Sequence, residues 1–302
     1  MKRFWLLTSI ALLFLLLFGA CQVKSPAQTK NEKPVIFVSI VPQKYFVERI
    51  AGDTVNVVVM VEPGAEPHTY EPKPAQMQML SDTDLYFSID APFEVNWLSR
   101  IADINPNLKV VNTAEGIVKR LSTEHHHEGE EETEAEHEEE GELDPHIWLS
   151  PRLVAQQCKI ISDTLAAQYP ENAQAYAENL NAFLADIEAL DQTLKADFAK
   201  TTNKTFMVYH PAWGYFADEY GLTEIAVEIG GTEPSALELA ELIEHARTEN
   251  IHVIFAQPEF STRSAEALAE EIDGEVVLIS DLEEDWLANM QKAGEAFLKG
   301  LE

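Results

Sequence analysis

Residues 171–200 read ENAQAYAENLNAFLADIEALDQTLKADFAK, and their periodicity decides the fold. Tyr176, Leu180, Phe183, Leu184, Ile187, Leu190, Leu194 and Phe198 recur at three- and four-residue steps. That is the spacing of a helix that buries one stripe. Pro170 stands just ahead of it, where a proline is tolerated at a helix start. At 1.5 Å per residue the helix would be about 45 Å long, enough to run down the side of two domains. A rigid connection of this kind permits little hinge closure.

On either side of this helix the chain alternates strand and helix patterns. Apolar, β-branched runs at 35–41, 55–61, 85–89 and 109–112 precede it, and runs at 205–209, 224–228, 253–256 and 276–279 follow it. Continuous rather than alternating apolar runs suit parallel strands covered on both faces. Helical patterns fill the gaps at 75–81, 92–101, 153–169, 235–248, 261–272 and 285–301. The expected fold class is α/β, with two Rossmann-like βα domains joined by one long backbone helix. The boundaries follow: an N-terminal domain over 34–169, the linker helix over 170–201 and a C-terminal domain over 202–302.

The N-terminus reads as an export signal. Lys2 and Arg3 precede an apolar stretch from Phe4 to Phe18, followed by Gly19-Ala20-Cys21. A charged start, a short apolar core and small residues before a break describe a cleaved signal over 1–20 rather than a spanning helix. Cys21 is then the expected lipidation site, and 21–33, rich in Lys, Ser, Pro and Gln, a tether. The other cysteine, Cys158, falls on the apolar face of a helical pattern and is expected to be a buried small hydrophobe. The formal net charge of −31 argues against nucleic acid as a partner, since phosphate contacts need a basic face. A negative field would instead concentrate cations near the surface.

Three histidines lie far apart, each beside a proline: Glu66-Pro67-His68, Asp144-Pro145-His146 and His210-Pro211. Asp281 ends an apolar run. Three imidazoles and a carboxylate form a tetrahedral set suited to Zn²⁺, and the spacing excludes a local finger. His68, His210 and Asp281 each follow a strand, where open α/β sheets bind their ligands, and His146 precedes a helix. The metal site is therefore expected in the cleft between the domains. Imidazole favours Zn, Cu, Ni or Fe over Mn and Mg, which prefer oxygen. Tyr209, Trp213, Phe216 and Trp148 are expected to wall and dehydrate the site. His245 and His252 read as structural.

From 124 to 142 the chain is almost wholly Glu and His, with eleven Glu beside His125, His126, His127 and His137. Such a segment cannot bury enough apolar surface to offset the entropy of ordering, so disorder is expected. It is either an auxiliary metal collector or a solvated insertion.

The motif Val61-Glu62-Pro63-Gly64-Ala65-Glu66-Pro67-His68-Thr69-Tyr70-Glu71-Pro72 resembles the first metal loop of the metal-binding receptors of bacterial ABC importers. Asp144-Pro145-His146-Ile147-Trp148-Leu149-Ser150-Pro151 is similar to their second loop. His210-Pro211-Ala212-Trp213-Gly214-Tyr215-Phe216 is similar to the third, and Glu233-Pro234-Ser235 to a flanking segment. Within that family the chain resembles the ZnuA-like zinc branch, which carries a Glu/His-rich insertion before the second ligand. The manganese branch has a carboxylate where this chain has His210. The resemblance implies His68, His146 and His210 as metal ligands and Asp281 as the fourth. The continuation Leu282-Glu283-Glu284 departs from the family's Asp-Pro-Leu, which leaves the fourth ligand open between Asp281, Glu66 and a water.

The function implied is an extracytoplasmic Zn²⁺ receptor that delivers its cargo to a zinc permease and its ATPase. A monomer is expected, lipid-anchored at the outer face of the cytoplasmic membrane or in the periplasm. The alternatives are a receptor for Mn²⁺ or another divalent metal, a surface adhesin, or a zinc metallohydrolase. The hydrolase lacks a HExxH helix or a Gly-x-Ser-x-Gly elbow to support it.

Overall fold

The computed structural model describes residues 33–122, 143–228 and 231–302. The expected export signal, Cys21, nearly all of the tether, and the Glu/His-rich segment with His125, His126, His127 and His137 lie outside the described residues.

Two four-stranded parallel sheets form the frame. In the first, β1 (Val35–Val38) lies between β2 (Asn56–Val59) and β3 (Leu85–Ser88), with β4 (Lys109–Asn112) outside β3. In the second, β5 (Thr205–Val208) lies between β6 (Thr223–Ala226) and β7 (Val253–Ala256), with β8 (Glu275–Leu278) outside β7. Registers run Val35 to Asn56 and Ile36 to Leu85 in one sheet, and Thr205 to Thr223 and Met207 to Ile254 in the other. The central strands are buried on both faces, which accounts for their unbroken apolar runs. Each sheet has the same strand order, so each has a point where the connections diverge beyond the carboxyl ends of its first and third strands.

The helices are α1 (Val41–Ala51), α2 (Pro74–Leu80), α3 (Pro92–Ile104), α4 (Pro151–Gln168), α5 (Ala173–Phe198), α6 (Gly214–Tyr220), α7 (Ala236–Thr248), α8 (Arg263–Glu271) and α9 (Trp286–Gly300). The expected long helix is α5, with 26 residues after a 3₁₀ turn at Pro170–Asn172. Its length is therefore about 39 Å rather than 45 Å.

Two helices were not apparent in the sequence. The run expected as a strand over 35–41 stops at Val38, and α1 starts at Val41 with Pro42 in its first turn. Gln43 closes this start, its Oε1 accepting from the backbone N–H of Ser39 at 2.9 Å and of Ile40 at 3.3 Å. The other, α6, has seven residues, too few to show a period, and five of them are buried. Among the described residues no helix is long and apolar enough to cross a membrane.

One apolar cluster runs through both halves. Phe183 of α5 packs on Tyr45 and Phe46 of α1, at ring separations of 5.7 and 6.1 Å. At the far end Phe198 packs on Phe216 and Tyr220 of α6, at 5.5 and 5.6 Å. From the C-terminal end of the chain, α9 returns Trp286 to within 5.4 Å of Phe46. Gly294 permits this helix to press on α5, since a Cβ there would stand 2.3 Å from Leu194 Cδ2. Cys158 is fully buried within the same cluster, as expected.

At the divergence point of the first sheet sits a buried acid. Glu94 of α3 accepts from Ser39 Oγ and, at 3.0 Å, from the backbone N–H of Ile89. Ser39 Oγ also lies 2.6 Å from Tyr86 Oη. Burial pushes the Glu94 carboxyl up to about 7.

Candidate metal centre

The three histidines arrive from three separate loops. His68 lies between β2 and α2, in a Pro- and Gly-containing turn. His146 immediately precedes the 3₁₀ turn Ile147–Leu149 that leads into α4. His210 follows the carboxyl end of β5, directly over the divergence point of the second sheet. Their ligand nitrogens all lie within 4.8 Å of one another. His210 Nε2 and His146 Nε2 are 3.2 Å apart, and the ring centroids are separated by 5.0 to 5.4 Å.

Each ring is oriented by a carboxylate on its other nitrogen. His68 Nδ1 bonds Glu66 Oε1, His146 Nδ1 bonds Asp144 Oδ1 at 2.8 Å, and His210 Nδ1 bonds Glu228 Oε2 at 3.3 Å. A carboxylate only accepts, so Nδ1 carries the proton and Nε2 presents its lone pair. Lone pairs at 3.2 Å repel unless something electropositive lies between them. A tetrahedral Zn²⁺ bound at the usual Zn–N length separates two nitrogens by roughly 3.3 Å, which matches this pair. The donor set therefore fits zinc.

The carboxylates are themselves fixed. Asp144 Oδ1 also accepts the backbone N–H of His146 at 2.9 Å. Glu66 Oε1 takes the N–H of His68 at 2.6 Å, while Oε2 takes the N–H and Oγ1 of Thr69 at 3.0 and 2.8 Å. Both Glu66 oxygens are thus engaged by His68 and Thr69, and Glu66 also lines the cavities that the three histidines border.

Electrostatics divides the rings. Burial pushes His146 and His210 down, against the upward pull of Asp144 and Glu228. Burial also pulls on His68, whose side chain is 30% exposed, but its bond to Glu66 prevails and raises it. Glu66 in turn is held at about 2, burial being outweighed by the bonds from the His68 ring and backbone.

Asp281 is buried and lines a small inner cavity of ≈10 Å³ together with the three histidines, Glu259 and Phe260. Burial pushes its carboxyl up, while the nearby His210 and His68 pull it down. It stands outside the three-nitrogen set, bordering the same cavity. Its loop is stitched to the His146 loop: Trp148 Nε1 donates to Asp281 O at 2.7 Å, and Trp286 Nε1 donates to Trp148 O at 2.7 Å. A larger outer cavity of ≈300 Å³ reaches the histidines past Pro92, Ser122, Leu143 and Pro211.

Of the four expected aromatic walls, Trp148 stands 5.1 Å from the His146 ring. Trp213 and Phe216 do not wall the site. They pack on each other and on Phe297, at 5.0 and 5.3 Å, because α6 turns them inward onto α5 and α9. Tyr209 reaches the site only through Phe260, 6.1 Å away. Phe260, not singled out in the sequence, stacks on His210 at 4.6 Å. Nothing but its place in the loop after β7 could have marked it. Glu228 is more legible in hindsight, as a carboxylate closing the run beside β5. His245 and His252 are exposed on the surface.

The chain was compared with known proteins. It is 31% identical over 303 residues to the zinc-binding lipoprotein AdcA of Streptococcus pneumoniae serotype 4, a match covering 98% of this chain and 58% of AdcA. It is 31% identical over 275 residues to the high-affinity zinc uptake system protein ZnuA of Bacillus subtilis, covering 89% of this chain and 85% of that one. A crystal structure of ZnuA superimposes with a TM-score of 0.82 at 39% identity, covering 90% of this chain and all of that one. A zinc-bound ZnuA lacking residues 138–173 of its own chain gives 0.81 at 39% identity, covering 90% of this chain and 99% of that one. Residues 36–300 match the family model described as zinc-uptake complex component A, periplasmic, and the chain belongs to that family.

Proposed function

We propose that the chain is an extracytoplasmic receptor that captures Zn²⁺ and hands it to an ABC importer, comprising a zinc permease and its ATPase. The observation that carries this reading is the convergence of three imidazole nitrogens within 4.8 Å, each ring held by its own carboxylate. In this reading His68, His146 and His210 are the ligands and Asp281 closes the fourth position from the inner cavity. The zinc is cargo rather than catalyst. The family supports a substrate-binding role, and so do the names of the relatives. The division into domains over 34–169 and 202–302 around the helix over 170–201 belongs to the same reading, supported by the two separate sheets. So does attachment to the membrane through a lipid on Cys21.

Competitive metal titration tests the proposal, using the protein from residue 22 onward, a version lacking 124–142, and His68→Ala. One tight zinc equivalent that survives the deletion and disappears with His68→Ala is the expected result. Tight zinc that leaves with the deleted segment and ignores His68→Ala would overturn it.

The pH dependence has a defined sign. Zinc displaces the proton from any charged ring, so affinity falls as pH falls. His68, raised by Glu66, competes with a proton first, while His146 and His210 stay neutral to lower pH. The affinity should therefore fall with a slope of about one proton below neutrality and steepen further down. An affinity constant from about pH 5 to 7.5 would contradict the site.

A further inference from the structure

Behind His146, on the side away from the other rings, the two halves of the molecule share one cation. Arg120 belongs to the first half. Its Nε lies 3.1 Å from Asp218 Oδ2 of α6, and its Nη1 lies 3.6 Å from Asp144 Oδ2 and 4.0 Å from Glu224 Oε2 of β6. The side chains of Asp144 and Glu224 are each 2% exposed, whereas Asp218 is 60% exposed. The guanidinium thus supplies the counter-charge beside buried Asp144 and borders Glu224, whose carboxyl burial pushes up to about 8. Its closest carboxylate among the described residues is a surface one on the opposite half.

The surrounding structure is shaped to hold it there. A Cβ on Gly214 would stand 1.2 Å from Arg120 Nη1 and 2.5 Å from Cζ, so the first residue of α6 has to be glycine for the guanidinium to lie against it. Tyr215 Oη accepts the backbone N–H of Arg120 at 3.0 Å and donates to Asp144 O at 2.8 Å. Asp144 N donates to Arg120 O at 3.0 Å, and Leu121 and Leu143 form an antiparallel bridge just beyond. Both ends of the intervening segment are therefore fastened to α6 at the point where Asp144 turns toward His146.

We infer that Arg120 is a positioning residue of the metal centre: seated on Gly214 and held by Asp218, it fixes Asp144 so that His146 keeps its proton on Nδ1 and presents Nε2. The chain of contacts begins with an ion pair and continues through hydrogen bonds, the Arg120 Nη1 itself making no hydrogen bond among the described residues. Arg120 faces Asp144 Oδ2, Asp144 Oδ1 receives both the N–H and the Nδ1–H of His146, and His146 Nε2 faces His210. Without the guanidinium, the buried Asp144 carboxylate has no cation opposite Oδ2, which loosens its hold on the ring it orients. Partners of this kind behind a metal-binding histidine typically govern 10–100-fold of the affinity. Because Asp218 lies on the other half, the same contact ties the hold on His146 to the junction of the halves.

The inference rests on the reading of the site as a zinc site, so the unaltered protein is measured alongside each variant. Gly214→Ala displaces the guanidinium without removing its charge, and Asp218→Asn removes the surface anchor. Arg120→Lys keeps a charge but cannot span Asp218 and Asp144 together. Zinc affinity by competition, zinc release by stopped flow and the ¹⁵N shifts of the His146 ring in the zinc-free protein are the readouts, with thermal melting to monitor the fold. Gly214→Ala and Arg120→Lys should each weaken zinc about tenfold and move His146 from a single Nδ1–H form to a mixture of tautomers. Asp218→Asn should leave the melting temperature unchanged and speed release about threefold, less than the 10–100-fold that a ligand's direct partners govern, because Asp218 acts through Arg120. Folded Gly214→Ala and Asp218→Asn proteins with unaltered affinity, release rate and His146 shifts would overturn the inference while leaving the receptor reading intact. An unaltered protein that failed to bind zinc would overturn both.

Discussion

The two sheets have the same strand order and opposite chemistry at their divergence points. In the first, the crevice beyond β1 and β3 is filled by Glu94, which takes the N–H of Ile89 and the hydroxyl of Ser39. In the second, the crevice beyond β5 and β7 presents His210, whose ring is turned outward by Glu228 while Gln257 Nε2 donates to its carbonyl at 3.3 Å. The topology provides a cavity in both places. In one half a carboxylate satisfies the backbone beyond the strand ends; in the other a similar carboxylate grips an imidazole and leaves its lone pair free. The first half brings its histidines from elsewhere, His68 after β2 and His146 before α4.

The contrast can be broken experimentally, beginning with the largest effect. His210→Ala should lower zinc affinity at least a hundredfold, since it removes a direct donor at the open crevice, whereas Glu94→Ala should leave affinity unchanged. Equal losses by competition titration would mean that the two crevices are not functionally distinct. Glu228→Ala should lower zinc affinity about 10–100-fold with a normal fold, because it frees the His210 ring to turn. Glu94→Ala should instead destabilise the protein by about 1–3 kcal/mol in denaturant melts, through the unpaired Ile89 N–H.

The smallest effect is a pH slope. Glu94 is raised from an ordinary 4.5 to about 7, so the folded state binds its proton more tightly than the unfolded state does. Its contribution is fully present below about pH 4.5 and is lost as pH rises through about 7. Glu94→Gln removes that titration. The variant should gain about 2 kcal/mol relative to the unaltered protein between pH 5 and pH 8, measured as the difference of two denaturant curves. A constant difference across that range would show that Glu94 is ionised throughout.

The parts of this molecule that were legible in sequence are those with a period or a punctuated motif. The strands β4 and β7 and the stripe of α5 came directly from apolar spacing. His68, His146 and His210 stood out because prolines beside them exclude an ordinary core role. Other features were hidden for physical reasons. At α1, an apolar run that continues a strand pattern turns into a helix at Pro42, and only Gln43 reaching back to Ser39 and Ile40 reveals the change. Asp144 and Glu228 are two carboxylates among 52 acidic residues, and their roles exist only once three loops have met. Phe260 faces His210 through a loop, where no spacing rule applies.

The apolar cluster that threads both halves along α5 bears on how a loaded receptor is told from an empty one. With the three loops already converged and the halves joined through one core, zinc capture has little global rearrangement to drive. Its trace is local: two positive charges placed among three neutral imidazoles, with a carboxylate behind each ring. Under the proposed receptor role, a permease that tells loaded from empty protein would read the rim of the outer cavity by contact rather than sense the outline of the molecule from a distance.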